Sequence, residues 1–278
     1  MLSFAKHTKL LVLLGFMMAL LLSPAQAASW EENVQAGEAA IKNHHVHKAE
    51  QALLLALKEA EAFGDDDVRL ARTLDDLGKV FNHERRNKEA ELYFKRSLAI
   101  REKKQGADHP DVAMVLNELG TVYKDEHKYQ EAETEYKRAL DIYKRKDGNG
   151  EEDQYIAVTF NNLGRLYLAA NRTEEAIPLL AQAIAFGDKS LGEDNEHVVD
   201  TVGKLASVYD NQGKTDKARP LFRRYLNHVR KAMGLPNHND PKSLDEIKEL
   251  AKCLRSDNDV KAADLLEKAI KYETDGKP

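Results

Sequence analysis

Three groups of residues in this chain have side chains that could do chemistry. The segment NHHVHKAE, Asn43 to Glu50, places His44 and His47 three apart, where they could share a helix face and ligate a divalent metal. A stable zinc site needs about four ligands, and no third or fourth accompanies the pair, so it is expected to form a polar turn. The segment GDDDV, Gly64 to Val68, offers carboxylates to calcium but lacks the remaining spacing of a calcium-binding loop. It is expected to be a solvated loop that supplies the next helix start, a role Asp favours. Cys253 is the only cysteine, so no intramolecular disulfide forms and packing alone must hold the fold. No glycine-rich phosphate loop, nucleophile elbow or paired metalloprotease histidines occur. The chain is therefore read as having no catalytic residues, no metal and no cofactor.

The N-terminus reads as a targeting segment. Lys6 and Lys9 precede the apolar run LLVLLGFMMALLL at residues 10–22, and SPAQA follows with Ala25 and Ala27. A basic start, a short apolar stretch and a small-x-small site predict a signal peptide over residues 1–27, cut after Ala27. The run is shorter than the roughly 20 residues of a bilayer span. The mature chain would be residues 28–278, exported across the inner membrane, with an expected periplasmic location. Without Lys6 and Lys9 it carries 40 basic against 47 acidic residues, a net charge of −7. That balance argues against non-specific nucleic-acid binding, which draws on a basic excess.

The elements that must position any site come from a repeat. A small residue recurs as Gly37, Gly78, Gly120, Gly164, Ala206 and Ala251, at spacings of 41, 42, 44, 42 and 45. Three residues later come Ala40, Phe81, Tyr123, Tyr167, Tyr209 and Leu254. A second set follows as Ala49, Ala90, Ala132, Ala176, Ala218 and, one position early, Ala262. Four further on lie Leu53, Phe94, Tyr136, Leu180, Phe222 and Leu266. Three beyond those, the small residues Ala56, Ser97, Ala139, Ala183 and Ala269 are broken only by Tyr225. Ala36, Leu77, Leu119, Leu163, Leu205 and Leu250 precede the first small residues. Thus i, i+1 and i+4 mark one face of a first helix and i, i+4 and i+7 one face of a second, small residues admitting a close approach and large ones filling it. Asn87, Asn171, Gly213 and Asn258 are the expected turn residues between the helices, and Pro178 and Pro220 are expected near the first turn of their second helices. Cys253 aligns with Ala39, Val80, Val122, Leu166 and Val208, so it is expected in the core.

This grammar resembles the tetratricopeptide repeat. The long period and the lead-in GADHPDVAMVLNELG, Gly106 to Gly120, resemble the kinesin-light-chain-type subclass. The resemblance implies an all-α, right-handed solenoid of about six antiparallel helix pairs, with repeats near 30–63, 64–105, 106–149, 150–191, 192–236 and 237–272. It also implies that the first helices line a concave groove where partners lie. Carried over at aligned positions, the groove would show Arg72, Asp75, Lys79, Asn117, Thr121, Lys124, Asn161 and Arg165. Its Asn side chains could bond an extended backbone, and its cations would favour carboxylates. The expected function is an extracytoplasmic scaffold, not an enzyme, that binds a protein or peptide partner and has no stable membrane insertion once cleaved. A tethered accessory subunit of an envelope complex is the alternative if the leader stays. An enzyme with an unfamiliar groove site is the third class.

Overall fold

The computed structural model describes residues 29–146, 150, 152–236 and 241–274. The expected leader over residues 1–27 lies outside them. Among the described residues no helix is long and apolar enough to cross a membrane.

Among the described residues twelve α-helices follow one another. They are α1 (Trp30–Lys42), α2 (Val46–Ala60), α3 (Val68–His83), α4 (Asn87–Gln105), α5 (Pro110–Asp125) and α6 (Tyr129–Lys146). Then come α7 (Asp153–Ala169), α8 (Thr173–Ser190), α9 (Glu196–Asn211), α10 (Thr215–Ala232), α11 (Pro241–Ser256) and α12 (Val260–Thr274). Odd and even helices pair within a repeat, and each pair stacks on the next. The expected solenoid of six helix pairs is what the chain forms.

The two sets of small and large residues meet where the spacing places them. A Cβ added to Gly37, Gly78 or Gly164 would lie 2.6–2.7 Å from Leu53, Phe94 or Leu180. Each large residue is thus seated on a bare patch of its partner helix, and all of Leu53, Phe94, Tyr136, Leu180, Phe222 and Leu266 are buried. Burying such a side chain contributes about 1.5–3 kcal/mol, so this one contact type accounts for much of the drive to pair.

Both kinds of connection repeat as well. Within each pair the turn has one residue in the left-handed region: His44, Arg85, His127, Asn171, Gly213 and Asn258. Arg85 takes this role where Asn87 was expected, and Asn87 instead opens α4. Between pairs, Gly64, Gly106, Gly150, Gly192 and Gly234 all have positive φ, which stops the second helix and redirects the chain. Asp67 then caps α3 by accepting from Arg69 N at 2.8 Å, so the acidic loop does start the next helix. Pro178 and Pro220 sit in the second turn of α8 and α10, deeper than expected. Each lacks the N–H that would bond the carbonyl four residues back.

The last pair departs from the pattern. Packing onto α10 comes mainly from α12 rather than α11. Tyr225, the bulky residue at a small position, sits opposite Gly203, where an added Cβ would lie 3.4 Å from Tyr225 and 2.6 Å from Leu265 of α12. Ala263, twelve residues after Ala251 as in the other copies, is buried in place of the expected Ala262, which lines a cleft. Cys253 is exposed, contrary to the expected core position, because α11 has little packing onto α10.

Candidate functional site

The first helices α3, α5, α7 and α9 present equivalent positions side by side. Two residues before the small anchor stand Asp76, Glu118, Asn162 and Lys204. One residue after it stand Lys79, Thr121, Arg165 and Ser207. Six before it come Arg72, Met114, Val158 and Asp200. On a helix these offsets share a face.

At the α3–α5 end, Lys79 Nζ lies 3.4 Å from Asp76 Oδ1, and Arg72 holds Glu38 at 2.6 Å. The second oxygen of Asp76 is buried without a hydrogen-bond partner. Glu118 is half-buried and makes no hydrogen bond among the described residues. Burial pushes both carboxyls above their ordinary range, with Lys79 opposing. Burial alone would lower Lys79, but the carboxylates of Asp76, Glu118 and Asp75 outweigh it and raise the ammonium.

Two clefts open further along. One of about 280 Å3 is lined by Val158, Asn161, Asn162, Arg165 and His197, among others. The other, of about 1000 Å3, runs from Arg165 past Asp200 and Lys204 to Lys261 on α12. Arg165 is exposed. Burial and the like charges of Arg165 and Lys261 bring Lys204 down to about 8, despite the Asp200 carboxylate in contact with it.

The eight groove residues read from the sequence divide into two groups. Arg72, Lys79, Asn161 and Arg165 lie on the open face or line its clefts, and the Asn161 Oδ1 acceptor is buried and unpartnered. Asp75 does not lie there. It is buried, and its carboxylate accepts two bonds from Arg101 of α4, at 3.1 and 2.6 Å. Asn117 donates to Thr159 of the next first helix at 2.8 Å, tying repeat to repeat. Thr121 bonds the Tyr136 hydroxyl at 2.9 Å, and Lys124 is largely buried against Asp125 at 2.8 Å. The residues missed were Asp76, Glu118, Asn162 and Lys204. Their signal was a row that runs from acidic through neutral to basic along the repeats, as a solvent-facing row can, beside a row in which Asp75 and Asn117 make internal bonds.

His44 does not join a metal set. The atoms of His47, Glu50 and Glu84 come within 4.8 Å of one another, but the Arg86 guanidinium already bonds Glu50 at 2.8 Å and Glu84 at 3.2 Å. A metal there would have to displace that cation.

Residues 80–145 and 155–231 match the family model of the tetratricopeptide repeat, a span that runs from the end of α3 through α10. The chain belongs to the tetratricopeptide repeat family. Among solved structures it is similar to BtubC (BKLC) from P. vanneervenii, at 24% identity and a TM-score of 0.62, covering 76% of this chain and 83% of that one. It is similar to the kinesin light chain with nearly identical TPR-like repeats from Podosopora anserina, at 20% identity and a TM-score of 0.59, covering 73% and 95%. A Rap protein complexed with competence and sporulation factor aligns at 16% identity and a TM-score of 0.62, covering 88% and 75%. At these identities the likeness is one of fold. No curated protein matches the chain by sequence. The tetratricopeptide repeat is a protein-interaction scaffold, with successive first helices offering one continuous surface.

Proposed function

We propose that this tetratricopeptide protein is an extracytoplasmic adaptor that holds a peptide or protein segment along the face of α3, α5, α7 and α9, with no catalytic step of its own. The observation that carries this reading is the set of polar groups left without partners on that face. Asp76 Oδ2 and Asn161 Oδ1 are buried acceptors without partners, and Arg165 lines both clefts. An unsatisfied buried acceptor costs about 1–3 kcal/mol, which a bound backbone or side-chain donor would recover. The Rap protein, bound to competence and sporulation factor, supports the same use of a similar fold. The apolar run at residues 10–22 and the Ala-x-Ala site that follows support export and release as a soluble chain.

A photo-crosslinking amino acid placed at Val158, exposed in the groove, and at Lys88, on α4, tests the surface. Adducts in the envelope fraction from position 158 and none from position 88 are expected. Equal capture at both positions would overturn the groove reading. Intact mass of the recovered chain tests export, and a start at Ala28 is expected. Retention of residues 1–27 would favour the tethered accessory subunit instead.

A further inference from the structure

We propose that the groove is charge-polarised and takes an extended peptide in one direction, its basic side chain at the Asp76–Glu118 end and its carboxylate at the Arg165–Lys261 end. This rests on the groove reading above and adds the chemistry and orientation of the occupant.

The acidic end has more acceptors than donors. Asp76 and Glu118 share the single ammonium of Lys79, since Arg72 is engaged by Glu38. One Asp76 oxygen remains buried and unbonded. A Lys or Arg from outside would supply the missing donors and offset the surplus negative charge.

The other end has open cations. Arg165 and Lys261 are both exposed and line the larger cleft beside Lys204, whose hold on a proton is weakened first by burial and then by these two like charges. Three carboxylates also line this cleft, but two are engaged. Asp200 pairs with Lys204, and Asp259 Oδ1 accepts from Ala262 N at 3.2 Å at the start of α12. Glu196 is the third, and no ion pair joins it to Arg165 or Lys261. A partner carboxylate between Arg165 and Lys261 would relieve the like-charge crowding around Lys204.

The ground between the ends suits an apolar side chain and a backbone. Met114 is half-buried, and Val158 and Tyr155 are both 42% exposed. Asn161 lines the smaller cleft, where rotation of its amide would present an acceptor to a passing N–H. Two helix spacings of about 10 Å separate the charged ends, a span of roughly 20 Å that about six extended residues cover.

A randomised dodecapeptide library displayed on phage and selected on the immobilised chain tests the proposal. Enriched peptides are expected to carry a Lys or Arg and an Asp or Glu about six positions apart, always in the same order. A synthetic peptide with that order reversed should bind at least tenfold more weakly. Selection on the Lys204→Glu, Lys261→Glu variant, with helicity checked by circular dichroism, should replace the acidic position by a basic one. Binders blocked by Val158→Trp that show no charge order would overturn the polarity and leave the groove standing. Binders indifferent to Val158→Trp, or no enrichment at all, would overturn the groove as a peptide site.

Discussion

The Cβ position of Gly120 falls 2.7 Å from Cε1 of Tyr136, closer than a side chain on that glycine could sit. The tyrosine is fully buried, and its hydroxyl bonds Thr121, one residue beyond the glycine. Gly120→Leu must therefore push α5 from α6 or eject a core aromatic. It should destabilise the chain by roughly 1–3 kcal/mol through overpacking. A thermal melt checks this, and an unchanged midpoint would contradict the packing seam.

Asp75 behaves as a structural residue in this arrangement. Its carboxylate meets Arg101 at 2.6 Å, and Arg101 reaches on to Asp111 of the next repeat at 2.7 Å. Burial pushes the Asp75 carboxyl up while the Arg101 guanidinium opposes that. Asp75→Ala leaves a buried guanidinium short of a partner, and removal of one member of such a pair costs about 3–5 kcal/mol. Urea unfolding should show that loss. A variant as stable as the parent would return Asp75 to the list of groove residues.

Legibility follows from which interactions the sequence pattern encodes. Small and large residues at fixed offsets, as at Gly120 and Tyr136, encode a packing seam directly. The groove was legible only as a face, because neighbouring residues on a helix differ by about 100°. Asp75 and Asp76 are adjacent, and composition alone does not say which one meets Arg101, a residue 26 positions away. Cys253 was misplaced for a related reason. Its register matches buried positions, but burial there also needs a neighbouring repeat packed in the usual way, and α11 lacks one. The native chain should therefore react with a thiol reagent at one site per molecule without denaturant. Protection until unfolding would show that the end repeat packs like the others.

The Glu133 cluster predicts a pH dependence. Glu133 accepts from Lys137 at 2.6 Å, Tyr167 at 2.7 Å and Arg172 at 2.5 Å. Burial would raise this carboxyl, but those bonds outweigh it and hold the pKa at about 2, below the ordinary 4.5. A depressed folded-state value contributes stability that is present above pH 4.5 and lost as pH falls through about 2. Discounted for its solvent-facing side, the contribution is about 1 kcal/mol. Glu133→Gln should lower stability at neutral pH by that amount and flatten the acid slope between the two values. Parallel stability curves for parent and variant from pH 6 to pH 2 would exclude this role.

Charge reversal on the groove face should separate binding from folding. Lys79 is a poor choice for it, because a Glu there would stand beside Asp76 and Glu118 and strain the fold by itself. Arg165 and Lys261 are exposed, and both lie at the cationic end. Arg165→Glu with Lys261→Glu should leave helicity unchanged and shift stability by no more than about 0.5 kcal/mol, as exposed substitutions do. Affinity for a cross-linked partner should fall by roughly 1–3 kcal/mol, the range for hydrogen bonds to charged groups. The matched control needs exposed lysines free of ion pairs. Lys95 and Lys137 fail that test, since each bonds a Glu one turn back. Lys58 of α2 and Lys88 of α4 are both exposed on second helices, and their double change to Glu alters net charge by the same amount. A general electrostatic attraction to the partner would weaken both doubles alike. A groove contact weakens only the first. Equal binding by the two doubles, measured at the ionic strength that gives the parent its tightest binding, would move the partner to the second helices or the inter-repeat loops.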